Sequence, residues 1–302
     1  MVGNGLVRRL FTIDHVTYGP PVRYVAAVEL RGGDNGAGPM SRLADVRIGT
    51  AGWSIPRAAA FRFESLGTHL ERYARLFRCA EINSSFHRPH AAATYRKWRD
   101  GTPVDFRFAV KVPRTITHEL KLQDARAPFV AFMDQTDGLA EKRGPILVQL
   151  PPSLSFDVSV MTRFLDVVRQ VYDGPVVCEP RHASWFSSEV ASLLDGYGIS
   201  RVAADPPPVP DAAVPGGCLR LAYFRLHGSP RKYWSRYSED DIAALSANVR
   251  GAAAAEEVWC VFDNTASGAA IENAWELRER LGRSPVRPTV HSATAPPLND
   301  PE

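Results

Sequence analysis

The chain has 302 residues, 45% of them hydrophobic and 23% charged, with 36 Lys and Arg against 33 Asp and Glu for a formal net charge of +3. That balance is too small to mark a general nucleic-acid binder, although local basic clusters still suit a phosphate. No apolar run approaches the 18 or more residues that a membrane span requires, and the N-terminus lacks the h-region of a secretory signal. The four cysteines, Cys79, Cys178, Cys218 and Cys260, have neither CxxC nor metal-ligand spacing. A reducing, cytoplasmic setting with no disulfide-linked partner is expected.

Residues 1–45 contain Asn35-Gly36-Ala37-Gly38-Pro39 and no amphipathic period. They read as disordered, or as an extension ahead of a start at Met40. From 46 to 282, short apolar runs alternate with helical patterns. Ile48-Gly49-Thr50 leads into Gly52-Trp53-Ser54, and Leu66, Leu70, Tyr73 and Phe77 are spaced for one helical face. Cys79-Ala80 ends in Glu81 and Asn83, Phe106 to Val110 in Lys111, and Ile146-Leu147-Val148 in Gln149. Val160, Phe164, Val167, Val168 and Val171 make a second helical face before Val176-Val177-Cys178, which runs into Glu179, Arg181 and His182.

Val190, Leu193 and Leu194 suggest a third helix, after which Val202-Ala203-Ala204 ends in Asp205. Pro206-Pro207-Pro208-Val209-Pro210 and Pro215-Gly216-Gly217 then forbid a helix. Tyr223-Phe224 leads to Arg225 and His227, Ser238 to Asp241 caps a helix carrying Ile242, Leu245 and Val249, and Val258 to Phe262 leads to Asp263 and Asn264. A last helix covers Ala269 to Leu281, and 283–302 is rich in Pro, Ser and Ala without period, the composition of a disordered tail.

Continuous apolar runs are the signature of buried parallel strands. With function-bearing side chains at the ends of eight of them, they predict an α/β fold, a (β/α)8 TIM-like barrel of eight parallel strands. Seven regular helices and one Pro-rich sixth crossover are expected, with the site at the C-terminal face.

Three carboxylates, Glu81, Glu179 and Asp205, then share one mouth. Carboxyl groups in different environments run acid/base chemistry, and with His227 or His182 they suit a divalent metal. The competing reading is ion pairing, Glu81 with Lys111 and Glu179 with Arg181 or Arg225. No HxxxH or HExxH spacing exists, so the cofactor is open and the metal signal weak. Lys111 reads as an orienting or phosphate-binding group ahead of a Schiff-base lysine. His118, His182 and His227 are candidate acids or bases, or structural hydrogen-bonders.

Loops after the seventh and eighth barrel strands often bind phosphate. Here they read His227-Gly228-Ser229-Pro230-Arg231-Lys232-Tyr233-Trp234 and Asn264-Thr265-Ala266-Ser267-Gly268. An ordinary helix cap beside a basic turn gives the same pattern. Trp53, Phe86, Trp185, Tyr223, Tyr233, Trp234 and Tyr237 line the same rim, to stack on a ligand or to plug loops onto the barrel.

In order along the chain stand Ile48-Gly49-Thr50-Ala51-Gly52-Trp53-Ser54, Glu81-Ile82-Asn83-Ser84-Ser85-Phe86 and Lys111-Val112-Pro113-Arg114-Thr115-Ile116-Thr117-His118. Gln149-Leu150-Pro151-Pro152, Glu179-Pro180-Arg181-His182-Ala183-Ser184-Trp185, Arg225-Leu226-His227-Gly228 and Phe262-Asp263-Asn264 follow, with Asn273-Ala274 last. Over about 46–282 these segments resemble the YecE-like family, number seventy-two of the domain-of-unknown-function series. The resemblance implies a TIM-barrel fold and no established reaction, with a nucleic-acid or endonuclease-like role suggested by site similarity. The family usually has Thr-Phe-Tyr where this chain has Ser85-Phe86-His87, and Asn-Asn where it has Asp263-Asn264.

The expectation is an enzyme hydrolysing a phosphate-bearing small molecule or nucleic acid. Glu179 and His182 would be acid and base, with Glu81, Asp205 and His227 as electrostatic or metal-binding partners. Arg181, Arg225, Arg231 and Lys232 would hold phosphate. Trp53, Asn83, Lys111, His118, Gln149, Trp185, Tyr233 and Asn264 would contact the rest of the substrate. The alternatives are a carbohydrate-active barrel using Glu81 and Glu179, and a non-catalytic nucleic-acid binder.

Overall fold

A strand covered by helices on one side and by its own barrel on the other needs apolar side chains at successive positions. The computed structural model describes residues 45–282 and places such strands throughout them. The expectations for the N-terminal stretch and for the tail from 283 lie outside the described residues.

The chain begins with β1 (Asp45–Ala51), α1 (His69–Ala74), β2 (Cys79–Ile82), α2 (Ser84–His87), α3 (Ala92–Asp100) and β3 (Arg107–Lys111). Next come α4 (Arg126–Thr136), β4 (Arg143–Gln149), α5 (Val158–Val171), β5 (Val176–Glu179) and α6 (Ser188–Gly196). It continues with β6 (Ile199–Arg201), β7 (Ala203–Asp205), β8 (Gly216–Gly217), β9 (Leu221–Leu226), α7 (Glu239–Gly251), β10 (Glu257–Phe262) and α8 (Ala269–Gly282). Hydrogen bonds order the strands β7-β9-β10-β1-β2-β3-β4-β5-β6-β8, all parallel except the β6–β8 pair. Since β6 and β7 sit at or next to opposite ends of that order and only Val202 separates them in sequence, the sheet is a nearly closed, TIM-like α/β barrel.

Eight strands were expected, and among the described residues there are ten. The sixth run is broken at Val202: β6 pairs with β5, and β7 crosses to pair with β9. The second extra strand is β8, a two-residue antiparallel pairing of Gly216 and Gly217 on β6, inside the Pro-rich connection. That connection has no α-helix, only a 3-10 turn over Pro210–Ala213, as its prolines dictate.

Helix starts follow their caps. Ser238 accepts from Asp241 N at 3.2 Å while Asp241 accepts from Ser238 N at 2.9 Å, the reciprocal box read from the sequence. The first helix is shorter than predicted because an equivalent box between Thr68 and Glu71 starts it at His69. Leu66 is left outside it, 78% exposed. Neither α3 nor α4 has a counterpart among the predicted faces: α3 buries only Tyr95, and α4 carries Pro128 in its first turn, where proline is tolerated. Among the described residues no helix is long and apolar enough to cross a membrane.

Side chains alternate faces along each strand. Ala80, Phe108, Val110, Val148, Cys178, Phe224, Cys260 and Phe262 join the layer between sheet and helices. Cys79, Ala109, Leu147, Val177, Tyr223, Trp259 and Val261 fill the barrel interior. Two residues beyond the interior set, on the same parity, come Glu81, Lys111, Gln149, Glu179, Arg225 and Asp263. Asp205 shares the parity of Ala203, which belongs to the outer layer.

Candidate active site

Parity and ladder register bring the inward residues to one level of the C-terminal end. Ala51 lies opposite Glu81, Glu81 opposite Ala109, and Gln149 opposite Glu179. The hub is Arg225, whose side chain is 1% exposed. Its Nε donates to both Glu81 oxygens at 3.1 and 3.0 Å, and Nη2 donates to Glu81 Oε1 at 2.7 Å. Nη1 donates to Glu179 Oε2 at 3.1 Å, and Nη2 lies 3.0 Å from Asp263 Oδ2. One layer lower, the Tyr223 hydroxyl donates to Glu81 Oε2 at 2.9 Å, and its ring stacks on Trp259.

His227, the next inward residue, is fully buried. Nδ1 is 3.0 Å from Asp263 Oδ2 and Nε2 is 2.9 Å from Glu179 Oε1. Arg181 Nη2 lies 2.5 Å from both Glu179 Oε1 and His227 Nε2. A proton on Nδ1 lets His227 donate to Asp263 and a proton on Nε2 lets it donate to Glu179, which also accepts from the two guanidiniums. Asn83 Nδ2 reaches Asp263 Oδ1 at 3.4 Å.

Burial alone would raise the Glu179 carboxyl, but Arg181, then Arg225 and His227, hold it well below the usual carboxylate range. Burial opposes the ionised Asp263 likewise, and Arg225 and His227 lower it. Arg225 is buried yet held firmly charged by Asp263, Glu81 and Glu179. Glu179, Asp263 and Arg225 are therefore held as ions by their partners.

Lys111 is different. It is 8% exposed, and among the described residues its ammonium forms no hydrogen bond or ion pair. Its Nζ rests 4.1 Å from the centre of the Phe86 ring, a cation–π contact. Burial and then Arg225 push it down to about 8, against the pull of Glu81, Glu179 and Asp263. The expected Glu81–Lys111 pair is not formed, because Arg225 and Tyr223 take both Glu81 oxygens.

Beside it, His118 packs 5.0 Å from Phe86, with Nδ1 on Thr117 Oγ1 at 2.8 Å. Burial, then Lys111 and Arg114, lower its pKa. Lys232 is half-buried and lowered by burial and then Arg181. Tyr233, at φ 65°, hydrogen-bonds through its backbone N–H to the His227 carbonyl and sets its ring 5.5 Å from that imidazole.

Several predicted residues fall elsewhere. His182 caps the turn Ala183–Trp185 by accepting from Ser184 N at 3.2 Å, with Ser184 Oγ 2.9 Å from its Nδ1. Trp185 is buried, donating from Nε1 to Leu154 O at 2.8 Å and packing on Phe156. It is a loop plug and not a rim platform. Asp205 accepts from Tyr237 Oη at 2.7 Å, and that hydroxyl accepts from Gly228 N at 2.8 Å.

Asn264 spends its amide on Ser235 O and Asn273 Oδ1, at 2.9 and 3.0 Å, tying the loop to α8. Trp53 packs on Trp98 and Phe108. Gln149 keeps inward parity but donates to Leu150 O at 3.0 Å. Arg231 is exposed and stacks on Trp234 at 4.7 Å. Asp263, Tyr223 and Phe86 belong to the constellation although they were not among the expected site residues, Tyr223 and Phe86 being read only as rim aromatics; their inward parity, or their nearness to it, was the available signal.

A divalent metal finds little here. Among the described residues no three His, Cys, Asp or Glu side chains form a metal-binding group. Arg225 already bridges Glu81, Glu179 and Asp263, the position a cation would take, and Asp205 faces outward.

With a charge-dense floor at the C-terminal end of a nearly closed, TIM-like sheet, the protein is of the α/β barrel class. A family model described as "Protein of unknown function DUF72" matches residues 47–298, and the chain belongs to that family, as its motifs led us to expect. The UPF0759 protein YecE of Escherichia coli K12 is 32% identical over 171 residues, which is 54% of this chain and 60% of YecE. The matched stretch thus spans less than two thirds of that relative. UPF0759 protein YunF of Bacillus subtilis strain 168 is 23% identical over 267 residues, 78% of this chain and 94% of YunF. A DUF72 family crystal structure from Enterococcus faecalis V583 superposes with a TM-score of 0.68 at 22% identity, covering 80% of this chain and 97% of that one. One from Thermotoga maritima MSB8 gives 0.66 at 25% identity, covering 79% and 100%.

Proposed function

We propose that this barrel is an enzyme that binds a small phosphate-bearing substrate at its C-terminal face. Lys111, Lys232 and Arg181 hold the anion, and the Glu81–Arg225–Glu179–His227–Asp263 network forms the rigid floor beneath. One observation carries this reading. The three inward carboxylates are each bridged to guanidinium or imidazole, which leaves Lys111 and Lys232 with no carboxylate partner among the described residues. Burying an ammonium without an anion is unfavourable, and a ligand anion relieves it.

The acid/base role expected of Glu179 and His182 loses its support, since Glu179 is held ionised and His182 is a turn cap. Lys111, at about 8, is the group placed to exchange a proton near neutral pH. A glycosidase pair needs one carboxyl to carry a proton, and Glu179, held ionised, is unsuited to that part.

Thermal melts with inorganic phosphate, phosphorylated metabolites and neutral saccharides test the reading. Phosphorylated compounds are expected to raise Tm in wild type and much less in Lys232→Gln, with the gain shrinking as salt rises. Stabilisation by saccharides alone would transfer the site to the carbohydrate reading.

A further inference from the structure

We infer that Lys111 is a nucleophilic amine that condenses with the aldehyde or ketone group of an anionic substrate. The inference rests on the reading above only for the anion-holding rim.

The chain has five lysines, and their surroundings separate them. Lys97 and Lys121 are exposed. Lys142 is buried, but its ammonium is fully used, donating to Arg99 O, Thr102 O and Thr102 Oγ1 at 2.6, 2.7 and 3.2 Å. A buried ammonium ordinarily satisfies its three donors in this way. Lys111 is as buried as Lys142 and satisfies none within the described residues. A structural lysine in this position would bridge Glu81, yet Arg225 occupies both Glu81 oxygens. No acid of the network is hydrogen-bonded or ion-paired to Lys111 among the described residues, which leaves its nitrogen for a ligand.

Its surroundings suit imine formation. The Phe86 ring fixes the head group from one side without consuming a donor or the nitrogen lone pair. The lowered pKa leaves a useful fraction of free amine near neutral pH. In the reaction the amine lone pair adds to the carbonyl carbon, and the amine loses a proton as the carbonyl oxygen becomes a hydroxyl. That hydroxyl leaves as water once protonated, and the nitrogen keeps the new C=N bond. The sum is amine plus carbonyl giving imine plus water, with no oxidant or reductant. His118, packed on the same Phe86 ring and with its pKa lowered by burial and then by the Lys111 charge, is placed to take the amine proton and return it to the leaving hydroxyl. A protonated imine keeps the positive charge in the field of Glu81, Glu179 and Asp263. Arg181 after β5 and Lys232 after β9 supply a cationic rim for the anionic end, so the fitting class is a small phosphorylated or carboxylated aldehyde or ketone.

Borohydride trapping tests this with the whole chain. Protein incubated with glyceraldehyde 3-phosphate or pyruvate is reduced, digested and mapped by mass spectrometry. A saturable reduced adduct on Lys111, absent from Lys97, Lys121 and Lys142, is expected. Lys111→Arg keeps the charge without the reactive amine, and is expected to lose the adduct while phosphate still raises its Tm. Adduct spread over the exposed Lys97 and Lys121 instead of Lys111 would overturn the inference. So would no adduct on a protein that phosphate still stabilises, a result that leaves the phosphate reading standing. An adduct on Lys111 from neutral aldehydes, with no competition by inorganic phosphate, would uphold the amine chemistry and remove the phosphate reading.

Discussion

The two ends of this barrel are each closed by an arginine-centred network, and the two networks are built differently. At the N-terminal end Arg47 pairs with Glu257 and with Asp45, the latter at 2.7 Å, and donates to Asp105 O at 2.8 Å. Its acidic partners are 39% and 30% exposed. At the C-terminal end the acids paired with Arg225 are 0%, 0% and 8% exposed. Between them lies an apolar filling of Leu147, Val177, Tyr223 and Trp259. One buried arginine with partly exposed acids is enough to seal the lower end. The upper end gathers two arginines, a histidine and three carboxylates where apolar side chains would seal equally well. Buried ion networks rarely add stability over apolar packing, so the excess at the upper end is the feature the proposed function would account for.

Arg225→Met is the largest break available. It takes a guanidinium from three buried acids and leaves Glu81 with only the Tyr223 hydroxyl, and losing one member of a buried network costs about 3–5 kcal/mol. Chemical denaturation at neutral pH checks it, and a loss under about 1 kcal/mol would mean the upper network is no more desolvated than the lower. Acid titration probes the same feature. Glu179 and Asp263 are held below their ordinary values, so the unfolded chain binds protons first as pH falls. Their contribution is complete above roughly pH 4–5, the unfolded carboxylate range, and is lost as pH drops through the native values. Stability that stays flat down to pH 3 would contradict that arrangement.

Lys111→Met acts in the opposite direction. Native Lys111 sits near 8 and the unfolded residue near 10.4, so folding disfavours its charged form. The penalty is full below about pH 8 and fades between about 8 and 10.4, where the unfolded chain binds more protons than the native one. The variant is expected to be more stable at pH 7 by an amount on the order of 1–3 kcal/mol, with the gain shrinking towards pH 10. Destabilisation at pH 7 would make Lys111 a structural counter-ion. Stability given up at one buried position is the common mark of a functional residue.

Tyr223→Phe sharpens the boundary between the apolar filling and the charged layer. It removes one donor from Glu81 while Arg225 remains on both oxygens. A loss of about 1–2 kcal/mol is expected, with little change in phosphate stabilisation. A collapse of phosphate binding would place Tyr223 in the ligand machinery.

Much of this was legible beforehand, because strand ends are apolar-to-polar transitions that a sequence displays directly. The barrel, the Pro-rich sixth connection and the membership of Glu81, Glu179, Arg225 and His227 in one constellation all follow from it. The failures share a cause. Asp205, His182 and Trp185 stand at or just after strand ends, but proximity to the end does not set direction. Asp205 has outward parity, His182 is turned to the following 3-10 turn, and Trp185 is drawn under its own loop. Counting in twos from the interior set would have separated Asp205 from Asp263. The break at Val202 was not legible, since a strand that changes partner halfway keeps the same apolar pattern.

The smallest expected effect lies at the lower end, and it makes the comparison quantitative. Arg47→Met keeps the aliphatic stem near Trp259, over whose ring the guanidinium lies at 6.0 Å, and removes only the charge. Asp45 and Glu257 are then left facing water and not a dry interior, so neither is stranded. Arg47 is buried but its acids are 39% and 30% exposed, and pairs with a solvated partner approach the surface range of about 0–1 kcal/mol and weaken with salt; a loss near the top of that range, smaller at high salt, is expected from paired melts at low and high ionic strength. An Arg47→Met loss matching that of Arg225→Met would show the two networks to be energetically alike, and the chemistry read into the upper end would then have to rest on Lys111 alone.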